Sequence, residues 1–509
     1  MLAKVDSYGL LGLDGFTVEV EVDVSNSLPS FDIVGLPDAA VREAKERVRS
    51  AIKNSGFAYP PGRVIVNLAP ADMRKEGSLY DLPIAMGLLA ATGQAAYDGG
   101  WPGWVFLGEL ALDGAVRGIQ GLLPMVIAAA KRGCHTFVVP ADNAMEVSYL
   151  ENITAYGVHS LKEACLLLSG GEVHPCEKRR WNPGQVNYQV DFSEIKGQYA
   201  AKRAAEIAAA GGHNMLLIGT PGSGKTMLAR RMPSILPALT FEEALEITKI
   251  HSITGLLGPE DGVAAERPFR APHHSASTAA LVGGGARALP GEISLAHYGV
   301  LFLDEFPEFR KDVLEALRQP LEDGMVTITR ANVKSTYPAD FMLVAAMNPC
   351  PCGYYGSRVR ECRCRPSEVA RYRARVSGPM LDRIDMHVEM AEVGYSDLTS
   401  GAGAESSAAI RRRVDAARAV QRQRYAGTGI FANSQLTTGM VKQYCLAEER
   451  AAALLQRAFG QLNLSARAYN RIMKVARTIA DLEGAERISS AHMAEAIQYR
   501  AMDKKYWGE

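Results

Sequence analysis

The sequence predicts an α/β chain built around a parallel sheet with crossover helices, preceded by a smaller α/β domain and followed by an all-helical segment. Three observations predict it. Phe16 to Val24 (FTVEVEVDV) alternates strictly, with Phe16, Val18, Val20, Val22 and Val24 on one face and Thr17, Glu19, Glu21 and Asp23 on the other, the pattern of a half-buried strand. From Asp191 to about Val393, helical stretches alternate with the short apolar runs NMLLIG, GVLFLDEF and FMLVAAMNP, the rhythm of a parallel sheet. Beyond the joint Ser400 to Ser407 (SGAGAESS) the residues are Ala, Arg, Leu and Glu rich without strand signals, and read as a helical bundle.

The elements follow in order. Within residues 1–170, Asp38 can cap a helix in which Val41, Val48 and Ile52 recur at helical spacing. VIVNLAP (Val64 to Pro70), WVFLGEL (Trp104 to Leu110) and TFVVP (Thr136 to Pro140) read as strands, and DLPIAMGLLAATG and LLPMVIAAAKRG as helices. Residues 171–190 are rich in Gly, Pro and charge, as a linker is. The parallel-sheet core spans 191–395 and the helical part 396–509.

Length agrees: 509 residues make about three domains at roughly 150 residues each. Lys plus Arg and Asp plus Glu are both 56, so no field of one sign covers the surface, and any nucleic-acid contact must be a local patch or channel. Asp6, Gly9, Gly12 and Asp14 interrupt the start of the chain where a signal peptide would be continuously apolar. The longest apolar stretch, Leu122 to Ala130, is half of what a hydrocarbon core of about 30 Å requires. No membrane partner is expected. Four of the eight cysteines fall between Cys350 and Cys364, which points to a reducing cytoplasm and one metal rather than disulfides.

Gly219, Thr220, Pro221, Gly222, Ser223, Gly224, Lys225 and Thr226 read GTPGSGKT, after the apolar run Met215 to Ile218 and before a helical MLARRM. Strand, glycine loop and helix stand in the order that cradles phosphates. Backbone N–H groups turn inward, Lys225 reaches the β- and γ-phosphates, and Thr226 ligates magnesium. GVLFLDEF then places Asp304 and Glu305 at a strand end, Asp304 to hold Mg²⁺ and Glu305 to orient and deprotonate the attacking water. Asn348, ending LVAAMN, can position the same water. Alone, a strand-end DE pair or Asn is ordinary turn chemistry; the glycine loop supplies the context.

With these residues in place the chain resembles the AAA+ ATPases, and more narrowly the magnesium-chelatase-like family. The resemblance covers nearly the whole chain and rests on FRAPHHSAS (Phe269 to Ser277), PGEISLAHYGVLFLDEFPEF, AAMNPCPCGYYG, SGPMLDRIDMHVE and LSARAYNRI. It implies a ring, a homo-hexamer, with ATP between subunits. Arg383 in GPMLDRID resembles the arginine that one protomer presents to its neighbour's γ-phosphoryl. Arg467 resembles a second arginine that the helical lid adds in cis, with Arg471 as its alternative; a surface ion pair is the ordinary role of either. The first domain resembles the Lon protease fold through GELALDGAVRGIQGLLPMVIAAAKRGCHTFVVP, but the nucleophile and lysine positions are Leu79 and Leu123, which cannot act. Ser78 is adjacent to the first, yet Lys131 lies two helical turns from the second. The domain reads as a non-proteolytic assembly or substrate-guiding module.

Family members that move nucleic acid aim a hairpin into the ring's pore. Val326, Ile328 and Val333 alternate with polar residues about a turn at Arg330 to Asn332, so Arg330 and Lys334 are the candidates to meet DNA phosphates. Two exposed hairpin charges are the plain alternative. Further basic candidates are the seven arginines between Arg358 and Arg375 and the stripe Arg411, Arg412, Arg413, Arg418, Arg422 and Arg424, which equally suit a solvated face. Cys350, Cys352, Cys362 and Cys364 form a set suited to a closed, structural zinc, free thiols being the alternative. His273 and His274 are adjacent, so on regular structure their rings point apart, suiting nucleotide sensing rather than metal binding. The resemblance implies a DNA motor that drives branch migration of recombination intermediates during uptake of foreign DNA. A chelatase-type or protein-remodelling motor is the alternative, although the hairpin tip lacks aromatic pore residues.

Overall fold

Alternation of apolar and polar side chains builds the first sheet. β1 (Leu2–Leu11), β2 (Asp14–Ser25), β3 (Ser30–Val34) and β4 (Arg63–Ala69) lie in the order β1-β2-β4-β3. Val18, Val20 and Val22 are fully buried, as the alternation of FTVEVEVDV predicts. Helices Ala39–Asn54 and Asp81–Ala91 share a core with this sheet, the first capped by Asp38, whose side chain accepts from the Val41 N–H. A second small sheet holds β5 (Trp104–Phe106), while β6 (Glu109–Leu110) and β7 (Val116–Arg117) form a ribbon. β8 (Thr136–Pro140) and β9 (Thr154–Val158) complete the second sheet in the order β5-β8-β9.

The computed structural model describes residues 2–183, 188–285, 287–330, 333–357, 359–392, 394, 404–462 and 464–507; the side chains at 330, 333 and 503–505 fall outside that description. The chain forms two units. The first is Met1–Asn182 with Phe241–Ala264, the second Pro183–Thr240 with Ala265–Glu509. Two expectations shift. Residues up to Asn182 are docked on the first unit rather than free: Cys176 N–H donates to Ala155 and Arg179 N–H to Ser148. The helix Phe241–Thr254, expected in the core, belongs to the first unit, where Ser252 donates to buried Glu146 at 2.7 Å and Leu245 packs beside the cluster holding Leu123.

In this first unit Leu123 is fully buried and Leu79 half-buried, so neither offers chemistry. Ser78 donates to Glu109. Nearby, Arg47 grips Asp81 with bonds of 2.6 and 3.0 Å; burial pushes the Asp81 carboxyl up to about 6, against the pull of that arginine.

The second unit is organised by a five-stranded parallel sheet. β10 (Met215–Ile218), β11 (Phe269–Arg270), β14 (Val300–Leu303), β17 (Met342–Met347) and β18 (Met386–Glu389) lie in the order β11-β14-β17-β10-β18. The intervening β12 (Gly283–Gly284) and β13 (Leu289–Pro290) form one ribbon, and β15 (Met325–Arg330) and β16 (Val333–Pro338) form the expected hairpin. Helices Ser407–Arg424, Thr438–Tyr444 and Ala466–Leu482 begin on Ser406, Thr437 and Ser465, each capping with its hydroxyl. Helices and sheet share one apolar core, from Phe192 to Ala496. The joint at 400–403 lies outside the described residues.

Candidate nucleotide site

The residues expected to hold phosphate, magnesium and the attacking water stand at the carboxyl ends of these parallel strands, where an open α/β sheet exposes its loops. β10 runs into the glycine loop, in which Gly222 and Gly224 take φ of 79° and 91°, left-handed values that turn N–H groups inward. Thr226 Oγ1 donates to Asp304 Oδ2 at 2.7 Å, joining two residues 78 positions apart. Lys225 Nζ donates to the carbonyls of Gly219 (2.7 Å) and Thr220 (2.9 Å) and to Asn348 Oδ1 (3.2 Å). Burial lowers its pKa to about 8 although Asp304 opposes the shift. The sequence reading missed Gln198, buried ahead of the loop, whose amide donates to the carbonyls of Ser223 and Ala391. A lone Gln before an Ala-rich helix carries no such signal.

Glu305 holds a left-handed φ of 53°, costly for a residue with a β-carbon and common at functional sites. His274 Nδ1 lies 2.9 Å from Glu305 Oε2, and His273 Nδ1 lies 2.8 Å from Ser275 Oγ. The expectation that the two rings point apart is corrected: their centroids are 4.1 Å apart, because the pair sits on a turn rather than a helix or strand.

The four cysteine sulfurs lie within 4.8 Å of one another, with contacts of 3.4 Å (Cys350 to Cys352) and 3.7 Å (Cys362 to each of those two). A tetrahedron with Zn–S of about 2.3 Å has sulfur edges of about 3.8 Å, so the set fits zinc. Despite some desolvation, N–H groups of Tyr354 and Arg363 bring the Cys352 thiol down to about 6, toward the thiolate a metal needs. This loop abuts the phosphate loop: a β-carbon on Gly353 would stand 2.6 Å from Pro221.

The arginines divide differently from expectation. β18 starts beside Met215 and ends beside Ile218, so Arg383, which precedes it, lies at the amino ends of the strands. Four strand residues, about 13 Å, separate that level from the chain's own phosphate loop. Arg383 donates to Glu322 and to the Pro379 carbonyl (2.7 Å). Arg467, expected beside the chain's own nucleotide, faces Asp382 at 3.9 Å, on this same far edge. Arg471 joins Asp385 at 2.7 Å. Burial would raise the Asp385 carboxyl, yet Arg471 and His213 hold it well below the usual range. Asp385 and Asn214, which sequence reasoning missed, tie this edge together: Asn214 N–H donates to Asp385, and its side chain bridges the Arg383 carbonyl and the Leu343 N–H. Asp385 closes the GPMLDRID run, but nothing in that run marks Asn214 or Arg471 as its partners.

Much of the basic stripe is consumed internally. Arg411 donates to the Ser234 carbonyl, Arg413 to Glu206 and Glu405, Arg418 to the Phe431 carbonyl and Arg424 to Asp481. Arg373, in the other patch, is buried between Tyr355 and Tyr506 at 4.7 and 4.9 Å. Arg358 and the side chain of Arg330 lie outside the described residues, as do Ala331 and Asn332.

A sequence model described as magnesium chelatase, subunit ChlI, matches residues 191–398, and its C-terminal counterpart matches 404–500. A further model, subunit ChlI of Mg-chelatase, matches 20–143. The competence protein ComM of Haemophilus influenzae is 45% identical over 508 residues, covering 98% of each chain. The chain belongs to the magnesium-chelatase-like AAA+ family, of the ComM/YifB type. Its YifB relative in Escherichia coli is 44% identical over 506 residues, 99% of this chain and 98% of that one. The magnesium-chelatase 67 kDa subunit of Chlorobaculum tepidum is similar over a shorter stretch, 29% identical across 31% of this chain and 23% of its own. Membership accounts for the P-loop core and the helical domain that follows it, and makes the protein an ATPase by family. Among the described residues no helix is long and apolar enough to cross a membrane.

Proposed function

We propose that the chain assembles into a cytoplasmic ring, a homo-hexamer, that hydrolyses ATP to translocate on DNA, acting as a branch-migration helicase in recombination and natural transformation. The observation that carries the hydrolytic half is the meeting of Thr226, Asp304, Lys225 and Asn348 at one sheet edge. The loop N–H groups and Lys225 bind the triphosphate. Thr226 and Asp304 fit magnesium, which when bound neutralises charge on the β- and γ-phosphates. Glu305 takes the proton of the attacking water, Asn348 orients it, and His274 holds the Glu305 carboxylate in reserve. Arg383 is too far from this chain's own loop and serves the neighbour's γ-phosphoryl, with Arg467 beside it. Structural zinc on the four cysteines braces the loop that follows Asn348; one zinc per chain by metal analysis is expected, lost with a lower melting temperature in Cys362→Ser.

The DNA half rests on the hairpin and on the full-length likeness to the competence protein. One hairpin face, Val326, Ile328, Ser335 and Tyr337, is buried; the other exposes Thr327, Thr329, Lys334 and Thr336. Hydroxyls beside an ammonium suit a phosphate backbone and offer no apolar grip to a polypeptide. The pairwise likeness to the magnesium-chelatase 67 kDa subunit covers 31% of the chain, against 98% for the competence protein, and favours the chelatase-type alternative less. ATPase rate with single-stranded and branched DNA at two salt concentrations tests the reading. Stimulation that weakens with salt, and drops in Arg330→Ala plus Lys334→Ala, is expected; an unstimulated wild-type ring would favour the protein-directed motor.

A further inference from the structure

β3 is an edge strand of the first unit's four-stranded sheet. Among the described residues it pairs only with β4, so its other side carries backbone N–H and C=O groups with no ladder partner. Folded proteins usually blunt such an edge with lysine, proline or a bulge. Here Pro29 and Pro37 bound the edge without entering Ser30–Val34, and aliphatic side chains flank it in water: Leu28 is 88% exposed, Leu36 55% and Val34 46%. A groove of about 580 Å³ runs along it.

The parallel register with β4 assigns the walls of that groove. Phe31 and Ile33 stand beside Val64 and Val66, on the face covered by helices, whereas Asp32 and Val34 stand beside Ile65 and Asn67 on the opposite face. The helix Ala39–Asn54 contributes Arg42 and Lys45, three residues apart and so on one side of the helix. Both are exposed, and among the described residues no carboxylate pairs with either. Arg63, the third cation of the groove, is already met by Asp32 at 3.3 Å.

We propose that this edge docks an extended acidic peptide segment of a partner protein, added as a further strand beside β3. Main-chain bonds to the free edge supply affinity, and the two-residue pleat sets the sequence the groove accepts. Side chains turned toward the helix meet Arg42 and Lys45 and are carboxylates; the alternate ones lie over Val34 and Ile65 and are aliphatic. A nucleic-acid strand fits worse. The Asp32 carboxylate repels phosphate, and Phe31, the one aromatic ring among the groove's lining residues, is half-buried against the core, where a nucleic-acid site stacks bases on several rings.

Fluorescence anisotropy of labelled Gly-Glu-Val-Glu-Val-Glu-Val-Gly with the full-length protein tests this. Saturable binding is expected, weakened at least about tenfold by Arg42→Glu plus Lys45→Glu and by N-methylation of alternate peptide amides. The two substituted residues are exposed, so an unchanged melting temperature and ATPase rate show that the variant folds. Absence of binding overturns the proposal, as does equal binding of a lysine-for-glutamate peptide or binding that survives N-methylation. Displacement of the peptide by oligothymidine would make the groove a nucleic-acid site instead. A change in sedimentation of the double variant, with no peptide bound by wild type, would assign the edge to a second copy of the chain.

Discussion

The two ends of the parallel sheet in the second unit are built to opposite electrostatic plans. At the carboxyl ends, inward N–H groups and a lysine whose pKa burial lowers to about 8 surround a space for phosphate, with the carboxylates of Asp304 and Glu305 on its rim. At the amino ends burial lowers the pKa of Arg383, Glu322 opposes that shift, and Arg318, Arg467 and Arg471 crowd it further down. The two levels stand four strand residues, about 13 Å, apart, and on the proposed ring they complement each other between copies.

Arg383→Ala breaks this complementarity most severely: ATPase activity should fall by about 10³ to 10⁵ while ATP binding persists. Mixing that variant with Lys225→Ala should restore part of the rate, because one class of mixed interface then holds both wild-type residues. An absence of recovery would mean that each chain completes its own site.

Asp385→Asn should come next. It leaves Arg471 without its carboxylate beside buried His213, a loss of about 3 kcal/mol read as a lower melting temperature of the second unit. The sign follows from the depressed carboxyl: the stabilisation is present above a carboxylate's ordinary pKa and lost on acidification, so the variant should also show a flatter acid limb.

The smallest effect is at Lys225. Its free-state pKa of about 8 means that triphosphate, which favours the ammonium, binds with uptake of a proton once the pH passes that value. Calorimetry should show ATP affinity falling by up to about tenfold between pH 8 and 9, with no such slope in Lys225→Arg, whose guanidinium stays charged.

Motifs contiguous in sequence were legible, and relations between distant segments were not. GTPGSGKT, the DE pair and the hairpin declare themselves because glycine φ, strand ends and two-residue alternation are local properties. β1 was not legible: Gly9 breaks its pattern, and Ala3 and Val5 are buried because the helix Asp81–Ala91 packs on that face. The helix Phe241–Thr254 lies within the range expected for the core but belongs to the first unit, since the order of elements along a chain does not show which core buries each of them. Arginine roles were least legible of all. The same residue type became a lone cation at Arg42, an internal carbonyl donor at Arg411 and a ring-stacked core residue at Arg373.

By itself the amino-acid sequence determined that this chain carries a phosphate-binding loop, two strand-end carboxylates, a four-cysteine cluster and a helical C-terminal part, because each follows from short-range geometry and residue chemistry. Only the tertiary structure decided that Thr226 meets Asp304, that His274 holds Glu305, and that Arg383 and Arg467 stand together at the opposite end of the sheet. Those relations depend on strand order and register, which arise from burying side chains hundreds of residues apart in one core.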